Sequence, residues 1–396
     1  MCYITDNNQN RLAILVKSTG GAEREEIMSK RRKILSAVLS GAVAVSLGQG
    51  ISVQSRAETE TSAVREDGNA LRLWYDEPSM QGWAGISDND AWQRYTLPIG
   101  NGDIGANIYG EITTEKLTFN EKTLWTGGPS ESRPDYMGGN LESSGNHGET
   151  LKQIQQLFAE GKDAEASALC NSLVGTSEGY GAYQAWGNIY FTYEGIDEAN
   201  VTGYVRDLDL QTAVSSVAFD EGGTHYTREF FDSNPDDVLV ARLTAEGAEK
   251  LNVTITFPSS QGGTTRAEGD SLLLAGEISD NQMQYDSILK AVPEGGTVEA
   301  AGDSLIVSDA DAVTVYVNAE TDYKNDYPEY RTGETAEELH SRVEKAVEAA
   351  AAKSYESVKA DHISDYSSLF SRVQLNIGQS VSDKTTDELL SAYNSG

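Results

Sequence analysis

Asn120 and Glu121, followed closely by Trp125 and the Gly127-Gly128 pair, are the residues of this chain whose types and spacing best fit a binding chemistry. A carboxamide and a carboxylate offer directional hydrogen bonds, an indole offers a flat apolar face, and together such groups hold a sugar ring. The same residues suit a second task, because a tryptophan can be the buried anchor of an interface and a polar pair can tie a loop to a neighbouring domain. Both readings stay open on the residues alone: a substrate-binding loop or a loop that faces another domain.

Other spacings carry less. Gly100-Asn101-Gly102-Asp103-Ile104-Gly105 has the spacing of a dinucleotide-binding turn, but Pro98 precedes it and the following Ala106 to Tyr109 reads as strand rather than helix. Tight turns account for these glycines. Gly175 to Gly179 has the spacing of a nucleophile elbow, yet a helical pattern precedes it and a Gly/Tyr-rich loop follows, the reverse of what that device needs. The histidines, at 147, 225, 340 and 362, form no metal-binding pair, and His362 lies on an apolar helical stripe where a packed, hydrogen-bonded ring is expected. Asp88-Asn89-Asp90 and Asp309-Ala310-Asp311 read as acidic turns, with no calcium loop around either. The Arg206, Asp207 and Asp209 cluster and the Arg228-Glu229 pair could hold shifted pKa values, but read as cross-strand ion pairs. No metal and no cofactor is expected. Hydrolysis of a glycosidic bond with inversion needs two carboxyls roughly 6.5–9.5 Å apart. Among 62 acidic residues the sequence singles out no such pair, and no catalytic residue is assigned.

The elements that must position these groups are mainly strands. From Leu71 to Ile112 short apolar-aromatic runs are separated by Gly and Asn, as in an all-β unit. Leu251, Val253, Ile255 and Phe257 alternate with polar residues, as do Ile189, Phe191 and Tyr193, and Val313, Val315 and Val317. Glu221-Gly222-Gly223 supplies a hairpin turn. Between Glu149 and Val174 the period changes to helical, with a break at Gly161. The expected fold is mainly β: a two-sheet antiparallel β-sandwich with a small helical hairpin insertion, followed by a helical linker. In the linker Ala336, Leu339, Val343, Ala346, Val347 and Ala350 form one stripe, and Tyr355, Val358, His362, Ile363, Tyr366, Leu369 and Phe370 another. Such stripes require a partner surface, and for this chain alone much exposed apolar area on the linker and a sticky, aggregation-prone protein are expected.

The chain has 396 residues, 38% of them hydrophobic, enough for a substantial core. Its net charge of −32 repels phosphate backbones and argues against nucleic acid. Lys30 to Lys33 precede an apolar run from Ile34 to Val53 and a small-residue exit at Ser55-Arg56-Ala57. This is a secretory signal pattern with its start at Met28, interrupted by glycines that shorten it below a membrane span. A secreted or extracellular protein without a membrane anchor is expected, and Cys170 alone in the remainder reads as a small buried hydrophobe. The segments are then 1–57 as extension and signal, 58–70 as polar leader, 71–330 as sandwich, and 331–396 as helical linker.

The run LPIGNGDIGANIYGEITTEKLTFNEKTLWTGGP, from Leu97 to Pro129, resembles the amino-terminal region of glycoside hydrolase family 95, the α-L-fucosidase type. YVRDLDLQTAV from Tyr204, the following HYTREFFDSNPDDVLVARLTA, and SYESVKADHISDYSSLFSRVQLNIG from Ser354 resemble later blocks in the same order. The resemblance implies an inverting enzyme that removes terminal α1,2-linked fucose from glycans without a cofactor. It also implies that the acid, the base and their asparagines lie in a helical barrel following this region, that this barrel is missing from the present chain, and that the chain alone is inactive. Its partners would be fucosylated oligosaccharide, through the complete enzyme, and the barrel itself. A stand-alone carbohydrate-binding or scaffold module, and a phosphorylase of similar architecture, are the alternatives.

Overall fold

The computed structural model describes residues 71–80, 86–133, 136, 147–173, 179–375 and 382–395. The segments expected to be a signal and a polar leader, and most of the Gly175 to Gly179 run, lie outside the described residues.

Among the described residues, two antiparallel sheets form the body of the fold. The larger runs, edge to edge, as β1 (Arg72–Tyr75), β6 (Thr202–Asp209), β7 (Val214–Glu221), β8 (Thr224–Ser233), β9 (Val238–Gly247), β16 (Ala312–Thr321), β13 (Gln284–Glu294), β12 (Ser271–Glu277) and β11 (Thr264–Glu268). The smaller runs as β14 (Thr297–Ala301), β15 (Ser304–Ala310), β10 (Leu251–Thr256), β5 (Gly187–Tyr193), β4 (Thr114–Glu121), β3 (Ile104–Ile108) and β2 (Leu97–Gly100). Period-two patterning makes this architecture: Leu117 and Phe119, Ile189 and Phe191, and Val253 and Ile255 point inward from the small sheet. They meet Phe219, Leu239, Leu243, Val313 and Val315 from the large one in a single core. Gly222 and Gly223 both adopt positive φ, the mirror-image turn that a two-residue hairpin between β7 and β8 requires.

The central strands β9 and β16 are buried on both faces, which explains their nearly unbroken apolar runs. Their second face is covered by α4 (Ala336–Ala351) and α5 (Tyr355–Phe370), whose Val343, Val347, Ala350 and Val358 pack on Phe231, Val240, Ile288 and Tyr316. The first linker stripe, and the second as far as Ile363, therefore find their partner in the chain's own sheet rather than in another domain. Exposed apolar surface remains at the end of the second stripe, at Leu369 and Phe370, and after it, at Val373, Leu375, Leu390 and Tyr393. His362 is buried in this layer, with Nε2 3.0 Å from the Thr212 carbonyl and its ring stacked on Phe231. Burial holds its pKa below the ordinary value.

The helical hairpin forms as α2 (His147–Ala159) and α3 (Asp163–Cys170), with Gly161 at positive φ between them. One short helix, α1 (Asp88–Arg94), stands where only strands and turns were expected. Ser87 caps it by accepting from the Asp90 amide, so Asp88-Asn89-Asp90 is a first helical turn. A final helix, α6 (Thr386–Asn394), reaches back to β1, where Thr386 Oγ1 accepts from the Trp74 amide. No helix among the described residues is long and apolar enough to cross a membrane.

The arginines of the charged strands differ from expectation. Asp207 does pair across strands, with Arg72 at 3.6 Å, and Glu229 pairs with Lys359 of α5 at 2.6 Å. Arg206 and Arg228, however, turn into the core. Arg206 donates to the carbonyls of Glu77 and Tyr95 and lies over the Tyr75 ring. Arg228 donates to the carbonyls of Glu111 and Ile112 and pairs with fully buried Glu115 at 3.0 Å. Arg228 thus holds the β3–β4 connection in place, and Arg206 ties the segment after β1 to the one before β2.

Candidate functional site

Strand parity separates the first two candidate residues. Asn120 and Glu121 are adjacent on β4, so their side chains leave opposite faces of the sheet. Asn120 points outward, with its carboxamide oxygen buried and without a hydrogen-bond partner. Glu121 points inward and is only 4% exposed; its Oε2 accepts from the Thr123 amide at 2.8 Å and from the Thr123 hydroxyl at 2.7 Å. That hydroxyl lies 2.5 Å from Thr321 Oγ1 at the end of β16. Glu121 thus closes the first turn of the loop onto the larger sheet. Burial pushes its pKa up to about 7, against the opposing pull of the Thr123 bonds.

Trp125 and the two glycines shape a separate cavity of about 610 Å³. Trp125 is 44% exposed, its indole nitrogen donates to the Lys122 carbonyl at 2.9 Å, and its ring meets Tyr183 edge-on. Tyr180, Tyr323, Tyr327 and Tyr330 line the same cavity, with Arg331 among them. The volume falls within the range of small-molecule clefts, about 300–1,000 Å³. Several rings around a few polar groups suit a ligand with both apolar and hydroxylated faces.

The glycines serve different needs. Gly127 has φ +83°, and a Cβ there would lie 2.4 Å from the Gly181 amide nitrogen and 2.5 Å from its Cα, so only glycine lets the two loops touch. Gly128 has φ +73° but open space around it. The loop is fixed by residues far away in sequence. Asp280 accepts from the Gly127 amide at 2.6 Å and is clamped by both terminal nitrogens of Arg133, at 3.0 and 2.8 Å. That guanidinium holds the Asp280 carboxyl below its ordinary pKa. The Asn281 carboxamide donates to the carbonyls of Trp125 and Gly127.

A smaller hollow of about 300 Å³ adjoins the loop, sharing Lys122, Thr123 and Tyr323 with the aromatic cavity. Asp103, Glu121, Asp237 and Glu320 line it, and Lys122 is paired with Asp103. Burial raises the pKa of Asp237 and Glu320 as it does that of Glu121. No group of three or more His, Cys, Asp or Glu among the described residues is arranged to hold a metal ion.

The structure therefore distributes the five candidates: Asn120 on the outer sheet face, Glu121 in the acidic hollow, and Trp125, Gly127 and Gly128 at the aromatic cavity. Reading the sequence missed Asp280, Asn281 and Arg133, which hold the loop, and the tyrosines of the far wall. For the tyrosines a signal existed in the recurrence Tyr323, Tyr327, Tyr330 beside Arg331. Gly100 to Gly105 forms the β2–β3 hairpin, where Asn101 Oδ1 accepts from the amides of Asp103 and Ile104.

Three relatives align with most of this chain. "Alpha-L-fucosidase 2" of Arabidopsis thaliana is 27% identical over 88% of this chain and 42% of its own length. "Probable alpha-fucosidase A" of Aspergillus oryzae is 29% identical over 75% of this chain and 41% of its own. Its namesake in Aspergillus niger is 30% identical over 82% of this chain and 40% of its own. The chain thus spans about two fifths of the length of these relatives. Residues 73–326, from β1 past the last strand, match the model described as the amino-terminal domain of glycosyl hydrolase family 65, and the chain belongs to that family of glycoside hydrolase amino-terminal domains.

Proposed function

We propose that this chain is the amino-terminal part of an exported inverting α-L-fucosidase of the family 95 type, acting on terminal α1,2-linked fucose of glycans. The observation that carries the reading is the aromatic cavity built by the Trp125 loop, in a chain that aligns over 75–88% of its length with proteins named as fucosidases. In this reading the cavity faces fucosylated substrate or the domain that carries the catalytic carboxyls, with residues 331–396 leading toward that domain. Export follows from the basic cluster at Lys30 to Lys33 and the apolar run behind it, with cleavage after Ala57.

The test compares fucose release from a terminally α1,2-fucosylated oligosaccharide by a longer protein carrying this domain and by the 396-residue chain. Release by the former alone supports the reading. Release by the chain itself overturns the assignment of the chemistry to another domain, and release by neither overturns the fucosidase reading. Inorganic phosphate is included in a parallel reaction, since a rate that depends on it would make the enzyme a phosphorylase. Amino-terminal sequencing of the secreted protein tests export, and a mature start at Glu58 is expected.

A further inference from the structure

We propose that the outer face of the seven-stranded sheet carries a second binding site, for a neutral carbohydrate chain, in the hollow between α1 and Tyr183. The hollow measures about 530 Å³. Its floor is set by register: Asn107 of β3 stands opposite Thr118 of β4, which stands opposite Asn188 of β5. Outward alternation puts all three on the same face, and adjacent strands space them about 4.8 Å apart. The result is a lateral row of amide, hydroxyl and amide. Asn120 adds a carboxamide in the next row, opposite Gly105, whose missing side chain deepens the floor.

Two aromatic rings flank the row. Trp92 of α1 is 43% exposed and Tyr183 45% exposed. The Trp92 indole nitrogen donates to Thr118 Oγ1 at 3.0 Å, which orients the ring against the floor. Exposed aromatic faces beside uncharged donors and acceptors suit pyranose rings, whose axial hydrogens pack on π faces while their hydroxyls exchange hydrogen bonds.

The charge pattern selects a neutral ligand. In a chain with net charge −32, the one carboxylate lining this hollow among the described residues is Asp88, and Lys116 neutralises it at 2.8 Å. A polar outer face is ordinary for an antiparallel sheet. An outer face that is concave, almost free of charge and flanked by half-exposed aromatics needs a further reason, and a sugar chain supplies it. The inference does not depend on the fucosidase reading, since binding here requires no turnover.

The test is isothermal titration of the full chain with neutral hexaoses (maltohexaose, cellohexaose and mannohexaose), against an oligogalacturonate of equal length. Binding of a neutral hexaose and none of the anionic one is expected. W92A should weaken it about tenfold, the loss of one stacking face. N107A/N188A, which leaves α1 untouched, should do the same while retaining the wild-type melting temperature. Failure of all three neutral hexaoses to bind overturns the proposal. So does binding that survives both variants, or binding lost in Y327A and kept in W92A, which would place the sugar in the other cavity. Fucose release, assayed separately, reports on the enzymatic reading alone.

Discussion

Replacing Glu121 by Gln should make the protein less sensitive to alkaline pH, and the size of the effect follows from where the carboxyl sits. Glu121 is buried, receives two hydrogen bonds from Thr123, and has its pKa raised by burial from 4.5 to about 7. In the unfolded chain it returns to the ordinary value, so between those limits the folded state binds more protons than the unfolded one. Its contribution is fully present below pH 4.5 and is lost as pH rises through about 7. At about 1.36 kcal/mol per pH decade, the whole loss is roughly 3 kcal/mol. The chain has an isoelectric point near 4.4, so measurements should start at pH 5.5, which leaves about 2 kcal/mol of the loss within reach up to pH 8.5. Gln keeps the shape and an acceptor for Thr123 but cannot ionise. Urea unfolding followed by tryptophan fluorescence should therefore show E121Q gaining about 2 kcal/mol on the wild type between those two pH values. Using the difference between the two proteins removes the contributions of Asp237 and the other raised carboxyls that do not interact with Glu121. Parallel pH curves for the two proteins would refute the assignment of a raised pKa to this carboxyl.

What was legible in the sequence is what depends on local period. Leu251, Val253 and Ile255 alternate because one face of β10 meets the core, and Gly222-Gly223 turns because no other pair so readily adopts two positive φ angles. Period alone does not name the surface that a stripe covers. Val343 and Val347 could have served a missing domain as well as the outer face of β9 and β16, and only the fold decides. The direction of Arg206 and Arg228 was hidden for a related reason. An arginine next to an acidic residue on a strand looks like a surface ion pair until its carbonyl partners, more than 100 residues away in sequence, are known. The candidate loop was partly legible. Its glycines marked a tight passage, but Gly181, Asp280 and Asn281, which make that passage tight, are distant in sequence. The division of Asn120 from Glu121 was within reach, because neighbours on a strand face opposite ways. Once β4 was taken as a strand, the two could not share a pocket.

The loop glycines should separate by stability. Calorimetry should find G128A about 1 kcal/mol less stable, the cost of a side chain at positive φ, and G127A several times worse because its methyl meets the Gly181 backbone; equal losses would refute the contact. His362, held below its ordinary 6.5 by burial, contributes stability that is present above 6.5 and lost as pH falls through its depressed folded value. H362Q should therefore gain on the wild type in urea titrations as pH drops from 7.5 to 5.5, and an unchanged difference would exclude a neutral, buried ring. R228L should be the most damaging of these changes, since it strands Glu115 in the core and releases the carbonyls of Glu111 and Ile112, at a cost of about 3–5 kcal/mol. The double variant E115Q/R228M, which removes both charges, should recover much of that loss in the same denaturation assay, because the penalty comes from an unpaired buried carboxyl rather than from an attraction forgone. A double variant no more stable than R228L would instead assign the cost to the carbonyls of the β3–β4 connection, leaving the carboxyl a minor part of what Arg228 holds together.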